Sequence, residues 1–197
     1  LHSFPTRRSS DLTILLETIL QAIPAANAAW VSLWNEKTAS LDIQAGAGYV
    51  DNSSLVGVQM SEGGRSDALP LRVFRGDRPL NVAEIHFARD YALSPEDLLL
   101  YRQATAGKLP VSSLLLPIRL GEKNLGVLVL DNFNQALAFG EQDELLAQSL
   151  TQQAALALEN ARLYFSAEQR AAQLQALTRV AGTITSNLRS DKLVDSL

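Results

Sequence analysis

The chain has 197 residues, a hydrophobic fraction of 47% and a formal net charge of -4. These values are typical of a protein with a substantial apolar core, and they supply no basic field that would favour nucleic acid or an anionic membrane. The chain has no cysteine, which excludes thiol nucleophiles, disulfides, thiolate metal sites and thioether attachment of a cofactor. No apolar run is long enough to cross a bilayer, and no secretory signal is visible. We therefore expect a cytoplasmic segment that contacts neither nucleic acid nor membrane.

The first residues, LHSFPTRRSSDL, are polar and lack the apolar periodicity of the sequence that follows. They resemble the translation of a sequencing-adapter oligonucleotide, and we expect residues 1–11 to be an artefactual segment. The alternative is a genuine basic N-terminal arm. On the first interpretation the chain is a truncated read that begins and ends inside helices.

The next stretch predicts a helix followed by a β-hairpin. LTILLETILQAI spaces its apolar residues as a helix does and stops at Pro24, which cannot continue a helix. AAWVSLW is rich in β-forming residues, NEKTAS is a polar turn, and LDIQAGAG reads as a second strand that ends at Gly46 and Gly48.

The middle of the chain predicts two short helices with a strand between them. In SEGGRSDALPLRVFRG, Ser66 or Asp67 is the expected N-cap and Gly76 ends the helix. RPLNV then reads as a short strand. In LSPEDLLLYRQA, Ser94 is the expected N-cap, and Asp97 three residues later completes a capping box that uses the shorter acid.

The stretch SSLLLPIRLGEKNLGVLVLDNFN predicts a second hairpin, with strands Ser113–Leu120 and Leu125–Asn132. Both strands are nearly continuous apolar runs, whereas a strand exposed on one face would alternate. We therefore expect both strands in the middle of a sheet, with helices on each side and a structural role rather than a chemical one. GEKN is expected to form a four-residue turn of type I character.

From Gly140 onward the sequence predicts one long helix, because no Gly or Pro interrupts it before Gly182. From Leu174 its apolar residues are spaced 3, 4, 3 and 4, which is the heptad pattern of a coiled coil. A helix of this length exceeds the width of a small domain, so its second half must project, and the simplest partner for its apolar stripe is a second copy. The expected dimer seam comprises Leu163, Leu174, Leu177, Ala181, Ile184 and Leu188.

Three stretches, EGGRSDALPLRVFRGDRPLNVAEI, SSLLLPIRLGEKNLGVLVLDNF and FGEQDELLAQSLTQQAALALENARLY, together resemble a GAF domain over residues 12–164. LQALTRVAGTITSNLRSDKLVDSL resembles a signalling helix, residues 165–189, and the start of a second domain, residues 190–197. The resemblance implies an α+β fold, with a GAF-like central antiparallel sheet of about six strands, helices on both faces and a long projecting C-terminal helix. Residues 49–107 would then roof a small-molecule cavity.

Candidate ligand contacts follow from residue type and from this implied roof. Aromatic side chains can line a pocket for a flat ligand but are equally typical of a core. His86 is a candidate ligand contact or a surface histidine without a role, and Arg65 lies in a loop that either cradles an anion or only connects elements. The expected ligand-binding residues are Trp34, Tyr49, Arg65, Phe74, His86, Tyr91, Tyr101 and Ser113.

The residues predict no catalytic or metal site. A hydrolytic triad would need a base, for which only His86 is available outside residues 1–11, and a metal cluster needs more His or Cys ligands than the chain has. The resemblance implies a sensory module that relays a change through a dimeric helix to an output domain such as a histidine kinase or diguanylate cyclase. A ligand-free dimerisation module is the alternative.

Covalent bilin and methionine sulfoxide reductase chemistry are disfavoured because relatives use cysteine for them, and the cofactor is unknown. Cyclic-nucleotide binding is a further alternative. Phe139, Asp143 and Glu144 match the second half of its motif, whereas Asp131-Asn132-Phe133 lacks the lysine of the first half.

Overall fold

The computed structural model describes residues 4–61 and 68–160, together with positions 163, 167, 169–171 and 173, and it describes side chains from residue 11 onward. The chain divides into two compact units, Leu1–Leu156 and Ala157–Leu197. The sheet and the helices that cover it belong to the first unit.

The described helices and strands alternate irregularly along the chain. In order they are α1 (Phe4–Ala22), β1 (Ala28–Asn35), β2 (Ser40–Ala47), α2 (Asn52–Leu55), β3 (Gln59–Ser61), α3 (Leu69–Arg75), β4 (Leu80–Val82), α4 (Phe87–Asp90), α5 (Pro95–Ala104), β5 (Ser112–Leu120), β6 (Lys123–Asn132) and α6 (residues 141–160). The strands form one six-stranded sheet in the order β3-β2-β1-β6-β5-β4, and every neighbouring pair is antiparallel. The expected α+β fold with a central antiparallel sheet is therefore confirmed.

The hairpin of β5 and β6 lies inside the sheet, as its continuous apolar runs predicted. Strands β5 and β6 pair with each other, β6 also pairs with β1, and β5 also pairs with β4, so both are interior strands. On one face of the sheet α1 packs against β1 and β2, and Leu16 and Ile19 of the helix, with Ile23 directly after its end, are completely buried. Their spacing of three and four residues forms one stripe of the helix, which explains why the sheet is covered on this side.

The opposite face of the sheet is covered by the loops and short helices of residues 49–58, 68–79 and 83–107, which we call the roof. Its short helices enclose one apolar cluster with the strands, formed by side chains such as Leu55, Leu71 and Phe87 above Trp30 and Leu115. The sheet is therefore a floor that is buried on both faces, as the continuous apolar runs of β5 and β6 predicted.

Of the two predicted helix N-caps, the one at α5 agrees with the structure and the one at α3 does not. At α5 the Ser94 hydroxyl accepts a hydrogen bond from the Asp97 backbone N–H at 3.1 Å, as the predicted capping box requires. At α3 the N-cap is Ala68, which makes no side-chain cap, so the prediction of Ser66 or Asp67 there was wrong. Ser66 and Asp67 themselves lie outside the described residues. Pro70 near the start of α3 supplies a fixed backbone φ instead of a cap.

The turn between β5 and β6 also differs from its prediction. Leu120 pairs with Lys123, so the loop is two residues long rather than four. Gly121 is the first of the two and has a φ of 59°, which is where a type II′ hairpin turn places glycine. The type I expectation failed because it counted as loop the residues that continue the ladder.

The N-terminal helix is longer than the sequence predicted. Helix α1 begins at Phe4, so residues 4–11 continue the helix expected from Leu12. The origin of residues 1–11 stays a prediction. Most of residues 165–189 and all of 190–197 lie outside the described part of the chain, as does the expected projection of the C-terminal helix. None of the helices in the described ranges combines the length and apolar character that crossing a bilayer requires.

Candidate functional site

The most unusual feature of the core is a buried carboxylate, Asp131, at the end of β6. Its side chain is fully buried, and its backbone pairs with Ala28 on one side and Ser113 on the other. Antiparallel pairing places directly opposite residues on the same face of the sheet. The Ser113 hydroxyl therefore reaches the Asp131 carboxylate and donates a hydrogen bond to Oδ1 at 2.6 Å.

Three tyrosines of the roof complete the hydrogen bonding of this carboxylate. The Tyr49 hydroxyl donates to Asp131 Oδ2 at 2.6 Å, and the Tyr101 hydroxyl donates to the same oxygen at 3.1 Å. The Tyr91 hydroxyl is 3.3 Å from Oδ1 and 3.3 Å from the Ser113 hydroxyl. We call these five residues the Asp131 cluster. Each carboxylate oxygen thus has two uncharged hydroxyl groups within hydrogen-bonding distance, so the buried acid is not left unsatisfied.

The charge of the Asp131 cluster depends on burial. Burial raises the pKa of Asp131, and the four hydroxyl hydrogen bonds only partly oppose this rise. Burial and the nearby Asp131 carboxylate also raise the pKa of Tyr49, Tyr91 and Tyr101, so the three phenols stay protonated and act as donors. Among the described residues, no Lys, Arg or His donates a hydrogen bond to Asp131.

We expect the raised pKa of Asp131 to produce a pH dependence of stability that Asp131→Asn removes. The folded state holds the Asp131 proton more tightly than the unfolded state does, so this stabilising contribution is complete below the ordinary aspartate pKa of 3.8. It is lost as the pH rises from 3.8 through the raised value. The free energy of unfolding of the wild type, relative to the Asn variant, should therefore fall as the pH rises through this window in a series of urea titrations.

Asp51 supplies a control of opposite sign. Hydrogen bonds from Ser53 and Ser54 lower the pKa of Asp51 to about 2. The stabilising contribution of the ionised Asp51 side chain is complete above the ordinary aspartate pKa, and it is lost as the pH falls through about 2. The free energy of unfolding of the wild type, relative to that of Asp51→Asn, should therefore fall toward acid pH. The same sign for both comparisons would contradict the assignment of a raised pKa to Asp131.

The structure brings together four of the eight predicted ligand-binding residues. Tyr49, Tyr91, Tyr101 and Ser113 are all members of the Asp131 cluster. All four side chains are buried, and the three tyrosines belong to the apolar cluster that fills the space beneath the roof.

The other predicted residues lie elsewhere. Trp34 and Phe74 stack on each other with ring centroids 4.6 Å apart, away from the hydrogen bonds of the Asp131 cluster. His86 is exposed at the start of α4, and its backbone N–H donates to Asp90 at 2.7 Å. Arg65 lies outside the described residues. A ligand role for these side chains stays a prediction.

Sequence reasoning missed Asp131 as a site residue, although one signal was available. An acidic residue ends an otherwise apolar run, LGVLVLD, in a strand predicted to be buried on both faces. A carboxylate at such a position needs several donors, and hydroxyl side chains of the predicted roof could have been proposed as their source.

The predicted dimer seam is described at one position only. Leu163 is 52% exposed. Leu174, Leu177, Ala181, Ile184 and Leu188 lie outside the described residues.

A six-stranded antiparallel sheet with this strand order, one face covered by a terminal helix and the other by a roof of short helices, defines a known class of small domain. The family model described as GAF domain matches residues 11–158. The chain therefore belongs to the GAF domain family, whose members are generally sensory and regulatory modules. No match is found among curated proteins.

Solved structures with the same fold come from several kinds of protein. The GAF domain of a phosphoenolpyruvate-protein phosphotransferase from Coxiella burnetii is 21% identical, with a TM-score of 0.64, over 80% of this chain and 86% of that one. A domain assigned to a two-component sensor histidine kinase from Sinorhizobium meliloti 1021 is 13% identical, with a TM-score of 0.56, over 85% and 99%. A type II free methionine-R-sulfoxide reductase from Thermoplasma acidophilum is 16% identical, with a TM-score of 0.56, over 77% and 92%. The fold thus serves regulatory domains and at least one class of enzyme, and at these identities the likeness concerns the fold alone.

Proposed function

We propose that this GAF domain is a non-enzymatic sensory or regulatory module in which a small ligand or a partner domain binds at the roof and changes its packing. The observation that supports this most is the Asp131 cluster, because one buried carboxylate on β6, with Ser113 of β5 beside it, joins three separate roof segments to the sheet. A molecule that binds one arrangement of the roof more tightly than another shifts the balance between them by that difference in affinity.

The second half of the proposal is that the change is relayed through a dimeric C-terminal helix to an output domain. The heptad spacing from Leu174 to Leu188 supports this, and so does the exposed apolar surface of α6. Leu145 is 67% exposed and Leu156 is 53% exposed. Their separation of 11 residues returns them to nearly the same face of a helix with 3.6 residues per turn. A second copy of the chain is the occupant that fits a repeating apolar stripe.

Leu177→Asp is expected to convert a dimer into a monomer. A carboxylate in an apolar seam loses its hydration without gaining a partner, so the dissociation constant should rise at least about 100-fold. Sedimentation velocity over a concentration series measures this directly. Gln175→Asp, which adds the same charge off the seam, is the matched control and should leave the dimer intact. An unchanged sedimentation coefficient for Leu177→Asp would reject the seam as the interface.

The alternative function is a ligand-free dimerisation module, and one observation favours it. Tyr49, Tyr91 and Tyr101 fill the space beneath the roof and satisfy Asp131 without a ligand. Native mass spectrometry of the purified chain separates the two possibilities. A mass increment that disappears on denaturation supports a ligand, whereas the bare mass in repeated preparations supports the dimerisation module.

Two other functions, cyclic-nucleotide binding and sulfoxide reduction, have less support. The residues that match half of a cyclic-nucleotide motif have structural partners here, since Asp143 accepts a hydrogen bond from the Gly140 N–H at 2.9 Å and the Phe139 carbonyl accepts one from Asn81 at 3.0 Å. An enzyme of the sulfoxide reductase kind is disfavoured because the chain has no cysteine. We propose that the module works in the cytoplasm and that its output domain is of the histidine kinase or diguanylate cyclase type.

A further inference from the structure

The three tyrosines of the Asp131 cluster come from three different roof segments. Tyr49 lies in the loop between β2 and α2, Tyr91 directly follows α4, and Tyr101 lies within α5. These segments follow separate paths over the sheet and meet at a single carboxylate on the floor. Among the described residues, the Tyr101 hydroxyl makes the hydrogen bond that joins α5 to strands β5 and β6.

The aromatic rings of the same segments also depend on one another. Phe87 of α4 stacks on Tyr91 with centroids 4.6 Å apart and lies 4.6 Å from the ring of Tyr101. Tyr49 meets Tyr101 edge-on at 6.4 Å. Because the Tyr101 ring contacts rings of both other segments, its departure removes a packing partner from each of them as well as a donor from the carboxylate.

The buried carboxylate makes partial opening unfavourable. While the roof is closed, Asp131 is kept from water and depends on its hydroxyl donors. Once one donor leaves, water can reach the carboxylate and hydrate it, after which the remaining phenols are no longer needed as donors. The closed state with all donors and the open state with a hydrated carboxylate are both satisfied, whereas intermediate states are not.

We propose that the Asp131 cluster is a latch that holds the roof on the floor and releases the loop at Tyr49, the end of α4 and helix α5 as one cooperative unit. The latch is a property of roof and floor alone. The latch proposal can therefore be tested separately from the ligand binding and the dimerisation of the proposed function.

Amide hydrogen exchange of the whole chain, resolved by mass spectrometry of its peptides, tests the latch. Tyr101→Phe keeps the ring and removes one donor. In this variant the exchange should accelerate by about tenfold or more, the factor that the loss of one hydrogen bond to a charged group gives. The acceleration should appear in α5 and equally in the peptides that contain residues 49 and 91. Tyr49→Phe should give the same pattern from the other end of the roof.

Ser94→Ala is the matched control, because it weakens α5 by removing its N-cap and leaves the Asp131 cluster intact. Its effect should be confined to α5 and to the backbone N–H groups of Asp51 and Gln59, which donate directly to Ala104 and Asp97 of that helix. The latch is overturned if Tyr101→Phe behaves as Ser94→Ala does, with no acceleration in the peptide that contains residue 91. It is also overturned if β5 and β6 accelerate together with the roof, because this would be global unfolding rather than release of the roof.

Discussion

Gly126→Ala should lower the free energy of unfolding by about 3 kcal/mol or more. Gly126 lies in β6 between Leu33 of β1 and Ile118 of β5, and it is buried. A Cβ at this position would overlap the Ser32 carbonyl oxygen and would lie 3.0 Å from Leu33 Cα. Both neighbours are backbone atoms of an interior strand, so relief requires that β1 move away from β6 and that ladder hydrogen bonds lengthen.

Gly140→Ala is the matched control for this substitution. The nearest atom to a Cβ at Gly140 is Asp143 Oδ2 at 3.7 Å, which is ordinary van der Waals contact. Urea unfolding of both variants should show a small change for Gly140→Ala, within about 1 kcal/mol, and a large one for Gly126→Ala. Equal changes would show that the approach of β1 to β6 at Gly126 is not a constraint on the fold.

The long elements could be predicted from the sequence because each carries its own pattern. Helix α1 shows helical spacing up to Pro24, and β5 and β6 show the continuous apolar runs of interior strands. These patterns arise from burial of a whole face, which constrains many residues at once. The GAF resemblance added the count of strands and the position of the roof.

The short elements could not be predicted in this way. Strand β3 has three residues, and α2 and α4 have four each. Elements of that length are too short to show a period. Strand β3 exists because Ser61 and Gln59 find partners on the edge of β2, which is information held by the tertiary structure and not by the local sequence.

The candidate site was predicted in part for a similar reason. Aromatic residue type correctly drew attention to Tyr49, Tyr91 and Tyr101, but it also selected Trp34 and Phe74, which stack on each other elsewhere. The shared feature of the true cluster is a hydroxyl, not a ring. The tyrosines are 82, 40 and 30 residues away from Asp131, so no local spacing could connect them to it.

Asp131→Ala should cost about 3–5 kcal/mol of stability, comparable to breaking a buried ion pair by removing one partner. The substitution leaves the hydroxyls of Tyr49, Tyr101 and Ser113 without their acceptor in a site that water does not reach in the closed state. Each buried donor that loses its partner carries a penalty of about 1–3 kcal/mol, although the roof can relax and admit water to reduce the sum.

Two further variants serve as controls for Asp131→Ala in a urea titration. Asp77→Ala removes an exposed carboxylate whose side chain is 72% accessible beside Arg78, and it should change stability by no more than about 0.5 kcal/mol. Asp131→Asn keeps the shape and one acceptor oxygen, so it should fall between Asp77→Ala and Asp131→Ala. The order of the three losses follows from the number of acceptors that remain for the buried hydroxyls. If Asp131→Ala were as mild as Asp77→Ala, the hydroxyls would be finding other partners, and the roof would be held by its apolar contacts instead of by the carboxylate.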